Sequence, residues 1–276
     1  MHSIWQRLPH PFFAQGASRP WVVAHRGGGA ENPENTLQAF IHAASLGVDM
    51  LECDVYRIAD GRFVVMHDAH LDRTTDAVGP VVLHTTETLR KVDAAYRWAR
   101  PEAPDAYPWR GRGVSLPFLE ELLAQFPLMR FSIELKQDDP TLAAPLVALI
   151  QRHKAQDRVV IGSFGHRVIQ AVRECAPTVA TQATRRETLL FLLLVRLRLA
   201  RFARPRFNAF AIPQKSGKHL TLVDAAFLRA AHYHGVPVHV WTVNDAVTME
   251  RLWRMGVDGI ITDRPTLAMA GKQLIH

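Results

Sequence analysis

Short runs of β-branched and aliphatic residues alternate with stretches of helical periodicity along nearly the whole chain. Few folds accept that alternation, because strands joined by crossover helices lie parallel in one sheet. Candidate strands run Trp21 to His25, Met50 to Arg57, Phe63 to His67, Arg130 to Lys136, Arg158 to Phe164, Val179 to Ala183, Phe210 to Pro213 and Val238 to Val243, with Gly259 to Thr262 as a last short extended piece. Helical patterns fall between them at Asn35 to Leu46, Phe118 to Phe126, Thr141 to His153, His166 to Cys175, Glu187 to Phe202, Asp224 to His234 and Ala246 to Met255. About eight such units predict an α/β chain folded as a (β/α)8 TIM barrel rather than an open sheet. A single domain over residues 21–276, behind an N-terminal extension of residues 1–20, accommodates the pattern without a long linker or internal repeat. The stretch 69–113 breaks it with Gly79-Pro80, Pro101, Pro104, Pro108 and Gly111, which predicts an insertion after the third strand, placed as a lid over one end of the barrel.

Barrels of this kind carry their chemistry at the carboxyl ends of the strands. The first candidate strand ends in His25-Arg26-Gly27-Gly28-Gly29, and Asn32-Pro33-Glu34-Asn35-Thr36 then opens a helix. Free backbone N–H groups and the helix dipole suit that turn to an anion. In the second strand Glu52 and Asp54 are two residues apart, so they share a face opposite Leu51, Cys53 and Val55. Two carboxylates turned into a barrel repel each other unless a cation lies between them, and a hard divalent ion meets that need. A bare Glu-x-Asp equally describes a solvated strand with its acids outward. Two further strand ends reverse that reading, because one delivers His67-Asp68 and the other Glu134-Leu135-Lys136. Two imidazoles, three carboxylates, an arginine and a lysine form the set that phosphodiester cleavage requires: charge neutralisation on phosphoryl oxygens, one group to take a proton and one to return it. Trp241, near the exit of another strand, offers an aromatic face either to a glycerol unit or to the core.

Together these pieces resemble the glycerophosphodiester phosphodiesterase family. The matching segments are His25-Arg26-Gly27 with Pro33-Glu34-Asn35-Thr36, Glu52-Cys53-Asp54-Val55, Asp60-Gly61 with His67-Asp68, Glu134-Leu135-Lys136, Trp241-Thr242-Val243-Asn244 and Thr262-Asp263-Arg264-Pro265. Each is common alone, but their order and spacing are specific. The resemblance implies a TIM barrel that hydrolyses glycerophosphodiesters to sn-glycerol 3-phosphate and an alcohol. It further implies His25 and His67 as acid and base, and Glu52, Asp54 and Glu134 as ligands of one divalent metal ion, Mg²⁺ or Ca²⁺. Arg26 and Lys136 are then expected on the phosphate and Trp241 at the glycerol end. Attack by water and attack by the substrate's own 2-hydroxyl through a cyclic phosphate are both open.

Charge and composition narrow the partners. The 33 basic residues exceed the 26 acidic ones by seven, with a pI of about 9.8, which favours anionic partners. Nucleic acid is not expected, since no zinc-ligand pairs, leucine-zipper heptads or RNP-like aromatic motif is present. Residues 185 to 206 carry seven arginines against one acid, Glu187. At helical spacing Leu192, Val195, Leu199 and Phe202 form one stripe, with Arg198, Arg201 and Arg204 on the other side and Arg196 at its flank. That pattern describes either a barrel helix with its arginines in water or a basic amphipathic helix whose Arg196, Arg198, Arg201 and Arg204 touch an anionic membrane. The second alternative brings a lysophospholipase D reaction on membrane lysophospholipids into view.

The start, Met1 to Pro20, lacks the apolar run of a secretory signal, and Leu189 to Val195 is too short to span a bilayer. A cytoplasmic protein, peripheral on the membrane if the arginines bind there, is the expectation. Cys53 and Cys175 are expected as buried thiols. Two other functions compete. A phosphosugar aldolase or isomerase barrel makes Lys136 a Schiff base and leaves the histidines and carboxylates without a task. A catalytically inactive barrel that only binds phosphate or membrane leaves a complete set of competent residues unused.

Overall fold

The computed structural model of the chain describes residues 10–14, 20–216 and 220–274. Eight parallel strands form the barrel: β1 (Trp21–Ala24), β2 (Met50–Arg57), β3 (Arg130–Leu135), β4 (Val159–Gly162), β5 (Ala180–Thr181), β6 (Phe210–Pro213), β7 (Val238–Trp241) and β8 (Gly259–Thr262). Their order is β5-β4-β3-β2-β1-β8-β7-β6. A parallel bridge between Gln182 and Ala209 joins the two outer strands and closes the ring. A helix follows each strand: α1 (Leu37–Ser45), α2 (Leu119–Gln125), α3 (Ala143–Arg152), α4 (His166–Cys175), α5 (Arg185–Arg196), α6 (Ala225–Tyr233), α7 (Ala246–Met255) and α8 (Pro265–Gln273).

Alternation along each strand sorts the side chains into two layers. Outward residues such as Val22, Leu51, Cys53, Ile133 and Ile161 are buried against the helices in the main core. Inward residues change character along the barrel axis. Trp21, Val23, Met50, Val160, Ala180 and Ile261 fill the amino end, while Glu52, Asp54 and Glu134 occupy inward positions nearer the carboxyl end. Phe12 and Phe13, from the short helix Pro11–Ala14, pack on Trp21 and plug the amino end. The described part of the N-terminal extension therefore belongs to the barrel's core; residues 1–9 and 15–19 lie outside the described residues.

Three expectations are corrected. The third strand in chain order, Phe63–Val65, lies outside the barrel and pairs antiparallel with β2; Gly259–Thr262 completes the eight. The predicted helix to Phe202 stops at Arg196, with Arg198 in the left-handed region at φ 60° and a separate single turn at Ala200–Phe202. Cys53 is buried but Cys175, at the end of α4, is exposed. The insertion has three short turns, and its Leu71, Val81 and Leu89 form a small second core with Val114, Leu116 and Phe118, which follow it. It is tied across the carboxyl end by Trp98 Nε1, which donates to the Gly29 carbonyl at 2.9 Å, and by Arg264, which donates to Glu102 at 2.5 Å.

Candidate active site

The site begins where β1 leaves the barrel. Arg26, Gly27 and Gly28 all have positive φ (52°, 80° and 97°), so the chain reverses tightly after His25. α1 packs onto that turn so closely that a Cβ at Gly27 would lie 2.8 Å from the Cβ of Ala39. The reversal aims the Arg26 N–H at Glu52 Oε2 (2.8 Å) and its guanidinium at Glu34 (2.9 Å). Asn35, also left-handed at φ 56°, donates from Nδ2 to Asp54 Oδ2 at 2.9 Å.

Glu52 and Asp54 both face the barrel interior and are buried. Register places Asp54 beside Glu134 on β3. One oxygen from each of Glu52, Asp54 and Glu134 lies within 4.8 Å of the others. Lys136 Nζ donates to Asp54 Oδ1 at 2.8 Å and to Glu134 Oε1 at 2.7 Å. Arg26 Nε is 3.4 Å from Asp54 Oδ2 and, though buried, makes no hydrogen bond. Burial and the neighbouring Asp54 push the Glu52 carboxyl up to about 8. Asp54 goes the other way: burial opposes its charge, but Lys136 and Arg26 hold it below its ordinary value. The cluster is thus short of positive charge at Glu52, and its three hard oxygen donors fit a divalent cation.

His67 arrives by an unexpected route. β2 continues past its neighbours, turns at Asp60-Gly61, and returns as Phe63–Val65 until the Met66 N–H meets the Asp54 carbonyl at 2.9 Å. His67 follows and lines the same cavity as His25. Both imidazoles are held from behind. His25 Nδ1 donates to Asp263 Oδ1 at 2.7 Å, and His67 Nδ1 donates to Asp68 Oδ1 at 2.6 Å. That fixes each tautomer and leaves each Nε2 for other partners. Burial lowers the pKa of His25, yet the hydrogen bond and the charge of Asp263 carry it above its ordinary value.

Asp263 is itself fixed by Asn244, which donates to its Oδ2 at 2.7 Å and accepts from its N–H at 2.9 Å. Asp68 accepts from Arg73 Nε at 2.6 Å, and Arg73 also grips both oxygens of Glu34 at 2.6 and 2.7 Å. Burial opposes ionisation of Asp68, but Arg73 and His67 hold its carboxyl down at about 2. Glu34, Asn35, Asp68, Asp263, Asn244 and Arg73 received no individual role from the sequence. All but Arg73 lie inside the quoted motifs, yet their partners become visible only once the strands are neighbours.

The cavity measures about 370 Å³. Its polar side holds the histidines, carboxylates, Arg26 and Lys136, and its other side is built from Phe164, Leu189, Ile212, Leu222 and Trp241. Trp241 stands edge-on to Phe164 at 6.3 Å. The structure thus gathers His25, His67, Glu52, Asp54, Glu134, Arg26, Lys136 and Trp241 around one cavity. Arg196, Arg198, Arg201 and Arg204 stand outside it; Arg196 is bound to Asp224 at 2.6 Å.

A closed α/β barrel with such a centre at the carboxyl ends of its strands defines a phosphodiester hydrolase. Residues 25–267 match the glycerophosphoryl diester phosphodiesterase family, and the chain belongs to it. It is 32% identical over 247 residues to a glycerophosphodiester phosphodiesterase of Caldanaerobacter subterraneus, covering 88% of this chain and 94% of that protein. It is 29% identical over 268 residues to a lysophospholipase D of Mus musculus, covering 88% and 83%. Among solved structures, a glycerophosphoryl diester phosphodiesterase domain from Mycobacterium tuberculosis superposes with a TM-score of 0.81 at 23% identity, covering 94% of this chain and all of that one. A phosphodiesterase of Oleispira antarctica in complex with the product sn-glycerol-3-phosphate superposes at 0.72 with 24% identity, covering 92% and 97%. These two likenesses are of fold.

Proposed function

We propose that the protein hydrolyses glycerophosphodiesters to sn-glycerol 3-phosphate and an alcohol, with His25 and His67 as the proton-exchanging pair. The carrying observation is that each imidazole is held through Nδ1 by its own aspartate beside a three-carboxylate cluster. One of them takes the proton of the attacking hydroxyl as its oxygen bonds to phosphorus. The other returns a proton to the alkoxide as the old P–O bond breaks. Glu52, Asp54 and Glu134 are the residues that hold one divalent cation, Mg²⁺ or Ca²⁺. Such a cation supplies neutralisation of charge on the phosphoryl oxygens. Arg26 and Lys136 border that cluster and orient the phosphate, and Trp241 packs on the carbon side of the glycerol unit.

A lysophospholipid substrate is a second reading, favoured by the apolar side of the cavity at Phe164, Leu189, Ile212 and Leu222. The two readings separate in one assay. Release of glycerol 3-phosphate from glycerophosphocholine is followed beside release of lysophosphatidate from lysophosphatidylcholine, with Mg²⁺, Ca²⁺ or EDTA and a His25→Ala control. Metal-dependent turnover of the soluble diester supports the first reading. Turnover of the lysolipid alone replaces it with the second, and silence on both returns the chain to a binding role.

A further inference from the structure

Helix α5 is apolar on both faces. Phe191, Leu192 and Val195 are buried against the barrel, as expected of a barrel helix. The outer face carries Leu189, Leu190 and Leu193, with Leu197 just beyond its end, and these are 44, 59, 53 and 57% exposed. Phe164, Leu199 and Phe202 are exposed as well. A helix that meets only water on its outer side has no burial to gain from leucine there, and a contiguous stripe of this kind marks an interaction surface.

The stripe begins at the mouth of the cavity. Arg185 and Leu189, in the first turns of α5, line it. At the other end Arg196 donates to Asp224 at 2.6 Å and to the Thr221 carbonyl at 3.0 Å. Both partners belong to the connection after β6, which also carries the cavity-lining Leu222. α5 therefore starts at the carboxyl-end rim and descends the side of the barrel, where Phe191 packs on Phe210 at the start of β6 at 5.0 Å, while Arg196 ties its last turn to the connection after β6.

The charges around the stripe choose its partner. Arg185 and Arg186 precede it, Arg198, Arg201 and Arg204 follow it, and all five are exposed. Glu187 is the single acid between residues 185 and 206 and is bound to Arg173 at 2.6 Å. A second copy of the chain docked through this face would set guanidinium against guanidinium. A bilayer with anionic headgroups answers both the leucines and the arginines.

We propose that α5 and residues 197–204 dock this side of the barrel onto an anionic lipid surface, with Leu190, Leu193 and Leu197 at the acyl boundary and Arg198, Arg201 and Arg204 on headgroup phosphates. This goes beyond the diesterase reading and holds for a soluble or a membrane-borne substrate. Docked in this way, the apolar lip of Phe164 and Leu189 opens beside the bilayer.

The full chain is sedimented with vesicles of phosphatidylcholine, with or without phosphatidylglycerol. Two variants are compared, Leu190→Ser/Leu193→Ser/Leu197→Ser and Arg198→Gln/Arg201→Gln/Arg204→Gln, and turnover of glycerophosphocholine reports that each is folded. The wild type pellets with the anionic vesicles. The arginine variant binds them about 100-fold more weakly, since each basic group near such a surface contributes about 1 kcal/mol. Both variants keep their turnover of the soluble diester. Wild type left in the supernatant, variants that pellet like the wild type, or a solution dimer that the leucine variant splits would each overturn the proposal. A protein with a folded circular dichroism spectrum that pellets but turns over no glycerophosphocholine removes the soluble-diester reading and leaves the docking surface standing.

Discussion

An imidazole hands a proton forward from a defined nitrogen when its rear nitrogen is already committed, and in this site the commitment is made twice. Replacing His25 or His67 by Ala removes a proton carrier and lowers kcat by about 10²- to 10⁴-fold, measured on glycerophosphocholine with folding checked by circular dichroism. Asp263→Asn is a subtler test. Burial pulls the His25 pKa down and Asp263 holds it up, so the asparagine variant titrates His25 at lower pH. The limb of the kcat/KM profile that belongs to His25 moves toward acid, and an unmoved profile removes Asp263 from that role. The histidines were legible in the sequence because each ends an apolar run. Asp263 was not, because it lies 238 residues from His25 and meets it only through the pairing of β1 with β8. Asn35 was hidden for a different reason: its bond to Asp54 depends on a left-handed backbone that no local pattern announces.

At the level of elements, α5 shows how much a local pattern can specify. Its start was missed by two residues, although Thr184 and Glu187 form a reciprocal capping box there. Its end was missed by six, because the stop is made by Arg198 in a conformation usually taken by glycine or asparagine. With neither residue present, the leucine-rich sequence reads as continuing to Phe202. Glu187 does more than cap. Burial opposes its ionisation, but Arg173 and the Thr184 N–H hold its carboxyl below the ordinary 4.5. The stability it contributes is therefore present above pH 4.5 and is lost as acid protonates it in the folded chain. Glu187→Gln is expected to cost about 1 to 3 kcal/mol at neutral pH, a gap to the wild type that narrows below pH 4.5. Urea unfolding of both proteins across that range measures it, and a gap independent of pH contradicts the assignment.

Over the whole molecule the alternation of strand and helix made the barrel legible, whereas the seam that closes it was not. β5 has only two residues and its seam to β6 is a single bridge, too short to carry a pattern. The plug at the amino end was equally hidden, since Phe12 and Phe13 stand alone in sequence and acquire a role only against Trp21. Phe13→Ala is expected to destabilise the fold by about 3 to 5 kcal/mol and to leave kcat of the folded fraction unchanged, because the site lies at the opposite end of the barrel. Cation binding couples that site to the stability of the whole chain. A Glu52 carboxyl pushed up to about 8 carries a proton at neutral pH in the metal-free protein. A divalent cation must displace that proton, so its affinity rises with pH and levels off above about 8. Titration of Mg²⁺ or Ca²⁺ should accordingly raise Tm, by the equivalent of about 2.7 kcal/mol at a hundredfold excess over Kd. The midpoint of that titration moves to lower concentration as pH increases. Glu52→Gln, which keeps the shape but loses the titrating oxygen, should remove both the cation's stabilisation and its pH dependence. A Tm that responds to the cation equally in wild type and variant would place the binding elsewhere.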